Sequence, residues 1–168
     1  MIGSILKQIG IFALYILVQV LILNNILFFG YINPYLYVLF LITLPSNISR
    51  TSLLLIGFTM GLIIDIFSGT PGYNAFASVL VTYAAPLLQK MFGPREDHDI
   101  MIIPSFKSYR IGMFIQYALA LVFIHHFSFF IIEYGSLSHI GSILLKTGLS
   151  SLFTMLLIIV IETFKSKR

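Results

Sequence analysis

Apolar stretches fill most of this chain, broken at short intervals by proline, glycine and a few charges. The runs over residues 8–29, 51–67, 75–92, 109–134 and 137–164 each predict a helix able to cross about 30 Å of hydrocarbon. A shorter run, residues 35–44, lies between Pro34 and Pro45. It is predicted as a further span that extends through Tyr31 and Ile48, tilts in a thinned bilayer, or dips in as a re-entrant piece. The expected fold is an all-α integral membrane protein with six transmembrane helices in one domain over residues 1–168. Its only sizeable loop is residues 93–108.

Composition strengthens this reading. The chain of 168 residues is 58% hydrophobic and 10% charged, with a mean hydropathy of +1.00. A soluble domain of this size has no core large enough to hide that much apolar surface. The first run continues past Ile22 without a small-residue cleavage site and is expected to be retained as a span. There are no cysteines, which excludes disulfides, thiolate nucleophiles and Cys-ligated zinc.

Charge placement sets the expected topology. The net charge is +4, yet Lys7, Arg50, Lys90, Arg95, Lys107, Arg110, Lys165, Lys167 and Arg168 all fall on one side if six spans alternate. The other connections carry no Lys or Arg. By the positive-inside rule both termini are cytoplasmic, and nucleic acid is not an expected partner. In the loop, Arg95-Glu96-Asp97-His98-Asp99 is read as solvated. Asp97, His98 and Asp99 are a weaker candidate metal set, because consecutive side chains on an extended loop diverge.

The candidate site lies around Asp65. Gly57, Gly61 and Asp65 recur every four residues, on one stripe of the third span. An ionisable group inside a span costs roughly 2.5–3.5 kcal/mol unless paired or wetted, and glycines on its face admit another helix. Pro71-Gly72 is strong turn chemistry, with Asn74 as the expected cap of a helix starting at Ala75. Two readings stand side by side: a structural cap or pair for Asp65, and a groove engaged by a partner or ligand; a proton relay is a lesser third, because no second carboxylate sits mid-membrane.

Other polar groups read mainly as interhelical ties: Gln19, Asn24 and Asn25 on the first span, and His125, His126 and His139 further on. Thr147, Gly148, Ser151 and Thr154 form a small stripe suited to close packing. Lys146 sits inside a span and needs an acidic partner, either Glu133 or Asp65. No nucleophile–base pair, phosphate-cradling loop or carboxylate dyad is present, so neither an enzyme nor a cofactor or metal is expected.

Gly61-Leu62-Ile63-Ile64-Asp65-Ile66-Phe67, followed by Pro71-Gly72-Tyr73-Asn74-Ala75, resembles the Gly-Leu-x-x-Asp stretch and the following turn of the rod shape-determining protein MreD family. Arg50 ahead of the third span, Pro34 opening the second, and the length and six-span plan also fit. The resemblance implies a non-enzymatic inner-membrane scaffold of the bacterial elongation machinery (the elongasome), acting in cell shape and peptidoglycan synthesis. Its implied partners are MreC, a RodA-type glycosyltransferase, a class B penicillin-binding transpeptidase and the MreB filament. It also implies a compact bundle similar to the S component of energy-coupling-factor transporters. That likeness supplies an alternative, a vitamin-binding transporter subunit. Span one, however, lacks the Ala-x-x-x-Ala surface such subunits use.

Overall fold

The computed structural model describes residues 2–26, 32–94 and 101–167. The expected end of the first span at Leu27, Phe28 and Phe29 lies outside the described residues. So do the loop charges Arg95, Glu96, Asp97, His98 and Asp99, and Arg168.

The described chain is helical, with no β-strand. In order it forms α1 (Ile2–Leu21), α2 (Val38–Ile42), α3 (Arg50–Ser68), α4 (Tyr73–Phe92), α5 (Ile111–Tyr134) and α6 (Ile140–Lys167). Single 3₁₀ turns at Leu23–Asn25 and Leu137–His139 extend α1 and precede α6. All but α2 are long and apolar enough to cross a membrane. Local chemistry sets their ends. Ser49 accepts the Ser52 N–H at 3.2 Å to cap α3. Gly69 and Gly135 close α3 and α5 in the left-handed region, at φ 66° and 61°, where a Cβ is penalised.

Side-chain contacts fix the direction of each helix. Asn24 Nδ2 donates to Ser68 Oγ at 2.8 Å, so α1 and α3 end together and run parallel. Gly61 of α3 lies against Asn74 and Ala75 at the start of α4. Gln89 late in α4 meets Tyr117 early in α5, and His126 of α5 meets Thr154 of α6. One end of the bundle therefore carries Asp65 and the Pro71 turn. The other carries Arg50, Lys90, Lys107, Arg110, Lys165 and Lys167, and is the basic end. There burial pushes the Tyr109 hydroxyl, just ahead of α5, up to about 12.

The expected second span takes a different form. Only Val38–Ile42 is α-helical, a five-residue turn, and the rest of residues 32–49 is irregular. Yet the segment does run between the two ends. Pro34 lies beside Gln19, and Ser46 N–H donates to Ile102 O at 2.9 Å at the basic end. It passes through the middle of the bundle, with Tyr37, Val38, Leu39, Leu41 and Ile42 fully buried.

Irregular backbone at such depth is tolerable only where protein satisfies its polar groups. Here side chains from four helices do so. Gln19 Nε2 donates to Pro34 O at 3.1 Å, and Gln19 Oε1 accepts from Tyr37 N–H at 3.4 Å. Thr154 Oγ1 accepts from Tyr35 N–H at 3.1 Å. Tyr117 O–H donates to Ile42 O at 3.1 Å, and Gln89 Nε2 to Leu44 O at 3.4 Å. A straight helix would be too short between the two prolines. An extended strap covers more distance per residue and supplies the same crossing.

Candidate functional site

The glycine stripe of α3 packs on α4. A Cβ on Gly61 would sit 2.5 Å from Ala75 Cα and 2.6 Å from its N. On Gly57 it would meet Thr82 Oγ1 at 2.6 Å and Ser78 O at 2.9 Å. The two backbones touch at a separation only glycine allows.

That closeness brings Asp65 over the start of α4, where it is 2% exposed. Its Oδ1 accepts from Asn74 N–H at 3.0 Å, from Asn74 Nδ2 at 2.9 Å and from the Thr70 hydroxyl. Its Oδ2 accepts from Ala75 N–H at 2.8 Å. These backbone donors are orphans of the first turn of α4, and Gly72 at the N-cap position has no side chain to satisfy them. Asp65 therefore caps α4 from a different helix, aided by that helix's dipole. Asn74, expected to be the cap, lies inside the first turn and joins Asp65 to the core instead. Pro71 stays exposed in the turn, and Gly72 takes φ 90°.

From Asn74 a buried network crosses the bundle. Because Asn74 Nδ2 faces the acceptor-only carboxylate, Asn74 Oδ1 must be an acceptor. It takes the Tyr37 hydroxyl proton at 3.1 Å. Tyr37 O is also 2.6 Å from His125 Nε2 and 3.3 Å from Ser78 Oγ. Since its one proton is committed to Asn74, it accepts from an Nε2–H on His125. His126 takes the opposite tautomer. Its Nδ1–H donates to Val122 O at 2.8 Å, leaving Nε2 to accept from Thr154 Oγ1 at 3.2 Å. Both imidazoles are completely buried and locked as interhelical ties. His139 is exposed and sits against the Tyr134 ring, 5.7 Å between centroids. Among the described residues no group of three His, Asp or Glu is placed to hold a metal.

Lys146 finds Glu133, not Asp65. Lys146 Nζ lies 3.8 Å from Glu133 Oε2, and 4.9 Å and 5.6 Å from the Tyr134 and Phe130 ring centroids. The aromatic faces add attraction to a partly exposed pair. Asn24 ties α1 to α3 as expected, while Asn25 bonds back to its own helix at Val20 O and Leu21 O.

The α6 stripe forms as expected at Thr147, Ser151 and Thr154, with Ser150 in place of Gly148. Thr147, Ser150, Ser151 and Thr154 face inward and are buried, whereas Gly148 is exposed with open space beside it. Thr147 Oγ1, Ser150 Oγ, Ser151 Oγ, His125 Nδ1 and Asn33 Oδ1 are buried without a hydrogen-bond partner. Tyr37, the hub of the network, escaped the sequence reading because Tyr35 and Tyr37 at the start of an apolar run look like interfacial anchors. The paired prolines around it were the available signal.

Searches of protein-family models, curated proteins and solved structures found no match to the chain.

Proposed function

We propose that this protein is a non-enzymatic scaffold of the bacterial elongation machinery, of the rod shape-determining MreD type, acting by receiving a partner's transmembrane helix. The observation that carries this reading is an apolar cleft of about 330 Å³ between α1 and α3. Gln8, Ile9, Phe12, Phe40, Leu55, Ile56 and Thr59 line it. A cleft of this kind suits helix-in-groove packing. Gly57 and Gly61 are not its lining, because α4 already occupies the glycine face. The Asp65 motif serves the scaffold by holding α3 and α4 rigid behind the cleft.

MreC, with its single span, is the proposed occupant. RodA-type glycosyltransferase and class B penicillin-binding transpeptidase would assemble around that pair. The basic end faces the cytoplasm by the positive-inside rule, with both termini beside the MreB filament at the inner membrane.

The absence of cysteine makes the test direct. Single cysteines replacing Phe12 or Leu55 should crosslink to the co-expressed MreC span. Cysteines replacing Tyr83 or Leu87, exposed on α4, should not. Equal capture at both faces, or none at the cleft, counts against the scaffold.

One observation favours a second reading, the vitamin-binding S-component type. Thr147, Ser150 and Ser151 on α6, together with His125 and Asn33, each bury a polar side-chain atom without a partner, at a cost of about 1–3 kcal/mol each. A bound polar molecule would satisfy them. Mass spectrometry of small molecules released from purified protein decides it: a stoichiometric ligand supports transport, and its absence leaves scaffolding.

A further inference from the structure

A second cavity opens at the basic end, and it differs in chemistry from the cleft between α1 and α3. It holds about 240 Å³ between α1, the end of the strap, residues 103–107 and the end of α6. Its wall is apolar on the side toward the membrane interior, with Ile11, Phe40 and Leu44, and its mouth carries Lys107 and Lys165. Glu162 forms part of the lining yet is only 1% exposed. Its Oε1 lies 2.9 Å from Lys165 Nζ, and its Oε2 accepts from Phe106 N–H at 3.4 Å. One carboxylate thus ties α6 to the 101–108 segment and steadies Lys165 beside the cavity. Lys165 also bonds the Tyr15 hydroxyl in the cavity wall, so of the three donors of its ammonium one is left for a ligand. Lys107 has no acidic partner among the described residues.

We propose that this cavity binds the headgroup of an anionic phospholipid, with its phosphate between Lys107 and Lys165 and its chains along Ile11, Phe40 and Leu44. Two cations above an apolar wall, where spans meet the interface, match a molecule that is charged at one end and apolar at the other. A soluble anion would use the lysines and gain nothing from the wall. Gln8 and Phe40 line both this cavity and the cleft between α1 and α3, so the two sites adjoin, while the two lysines belong to this one alone.

The test uses the full chain in neutral detergent, probed by native mass spectrometry with phosphatidylglycerol, phosphatidylcholine and inorganic phosphate. Phosphatidylglycerol should be retained in preference to phosphatidylcholine, and phosphate should not displace it. K107Q/K165Q should lower its apparent affinity by roughly twenty-five-fold, about fivefold for each lysine. K90Q/K167Q removes the same charge from positions outside this cavity and should have a much smaller effect, because those cations do not border it. If K107Q/K165Q fails to fold, a photoactivatable phosphatidylglycerol on the wild-type chain should label residues 101–108 and 161–167. Equal losses in the two pairs, displacement by phosphate, or labelling elsewhere would overturn the proposal.

Discussion

α3 and α1 run parallel and face the same membrane, yet they are held in opposite ways. α3 lies against α4 at backbone contact, with Met60, Gly61, Ile64 and Asp65 buried. α1 exposes Leu6, Ile9, Leu14, Leu17 and Leu21 by half or more, and among its described side chains only Ile16 and Gln19 are buried. The first helix is attached through a polar residue, the second through glycines and a carboxylate. Apolar surface does not glue helices in lipid, because the tails are as apolar as leucine. What fastens a helix here is close approach or a satisfied polar group. Surface left outside both is free for lipid or for another protein.

Changes at the seam should have the largest effects. Gly61→Leu would drive a side chain into the backbone of α4, which has no rotamer to yield, and should destabilise the fold by about 3 kcal/mol or more. The readout is thermal unfolding in detergent, and a melt like that of the wild type would mean the seam is not where stability resides. Asp65→Ala should follow at roughly 2–4 kcal/mol, since it leaves Asn74 N–H and Ala75 N–H without acceptors. Asp65→Asn should retain part of the loss-sensitive bonding and fall between.

Gln19→Leu tests how α1 is held. It strands Tyr37 N–H and Pro34 O and should cost about 1–3 kcal/mol. Hydrogen exchange at residues 35–44 should rise more than exchange in α3. Lys146→Met sits lower still, below about 1 kcal/mol, because its pair with Glu133 is partly exposed; a charge-reversed pair should melt like the wild type. Leu14→Ala should be nearly silent in the same assay. A large effect there would show that the outward face of α1 is packed against more than lipid.

The comparison also shows what could be read before any coordinates. Gly57, Gly61 and Asp65 fall on one face by simple helical arithmetic, so that shared face was legible, but not that α4 rather than a partner's helix covers the glycines. Glu133 was named as one of two partners for Lys146. The path of residues 32–49 was not legible. Hydropathy reports that a segment is buried, not whether its backbone is helical, and satisfaction of that backbone depends on Gln89, Tyr117 and Thr154 far along the chain. The α6 stripe was legible at Thr147, Ser151 and Thr154 and was missed only at Gly148. Gly148 and Ser150 lie two positions apart, and residue size alone does not tell which turns inward.

The strap has a consequence for biogenesis. The amide of Tyr35 waits for a hydroxyl at Thr154, 119 positions later, and Ile42 and Leu44 wait for groups on α4 and α5. Synthesis delivers the chain from its N-terminus, so this stretch leaves the ribosome long before anything can satisfy it. It cannot settle among lipids alone and must be sheltered at the insertion machinery or the interface until the last helix arrives. Chains cut short before Thr154 should therefore be recognised as unfinished and degraded, even though several of their helices insert normally.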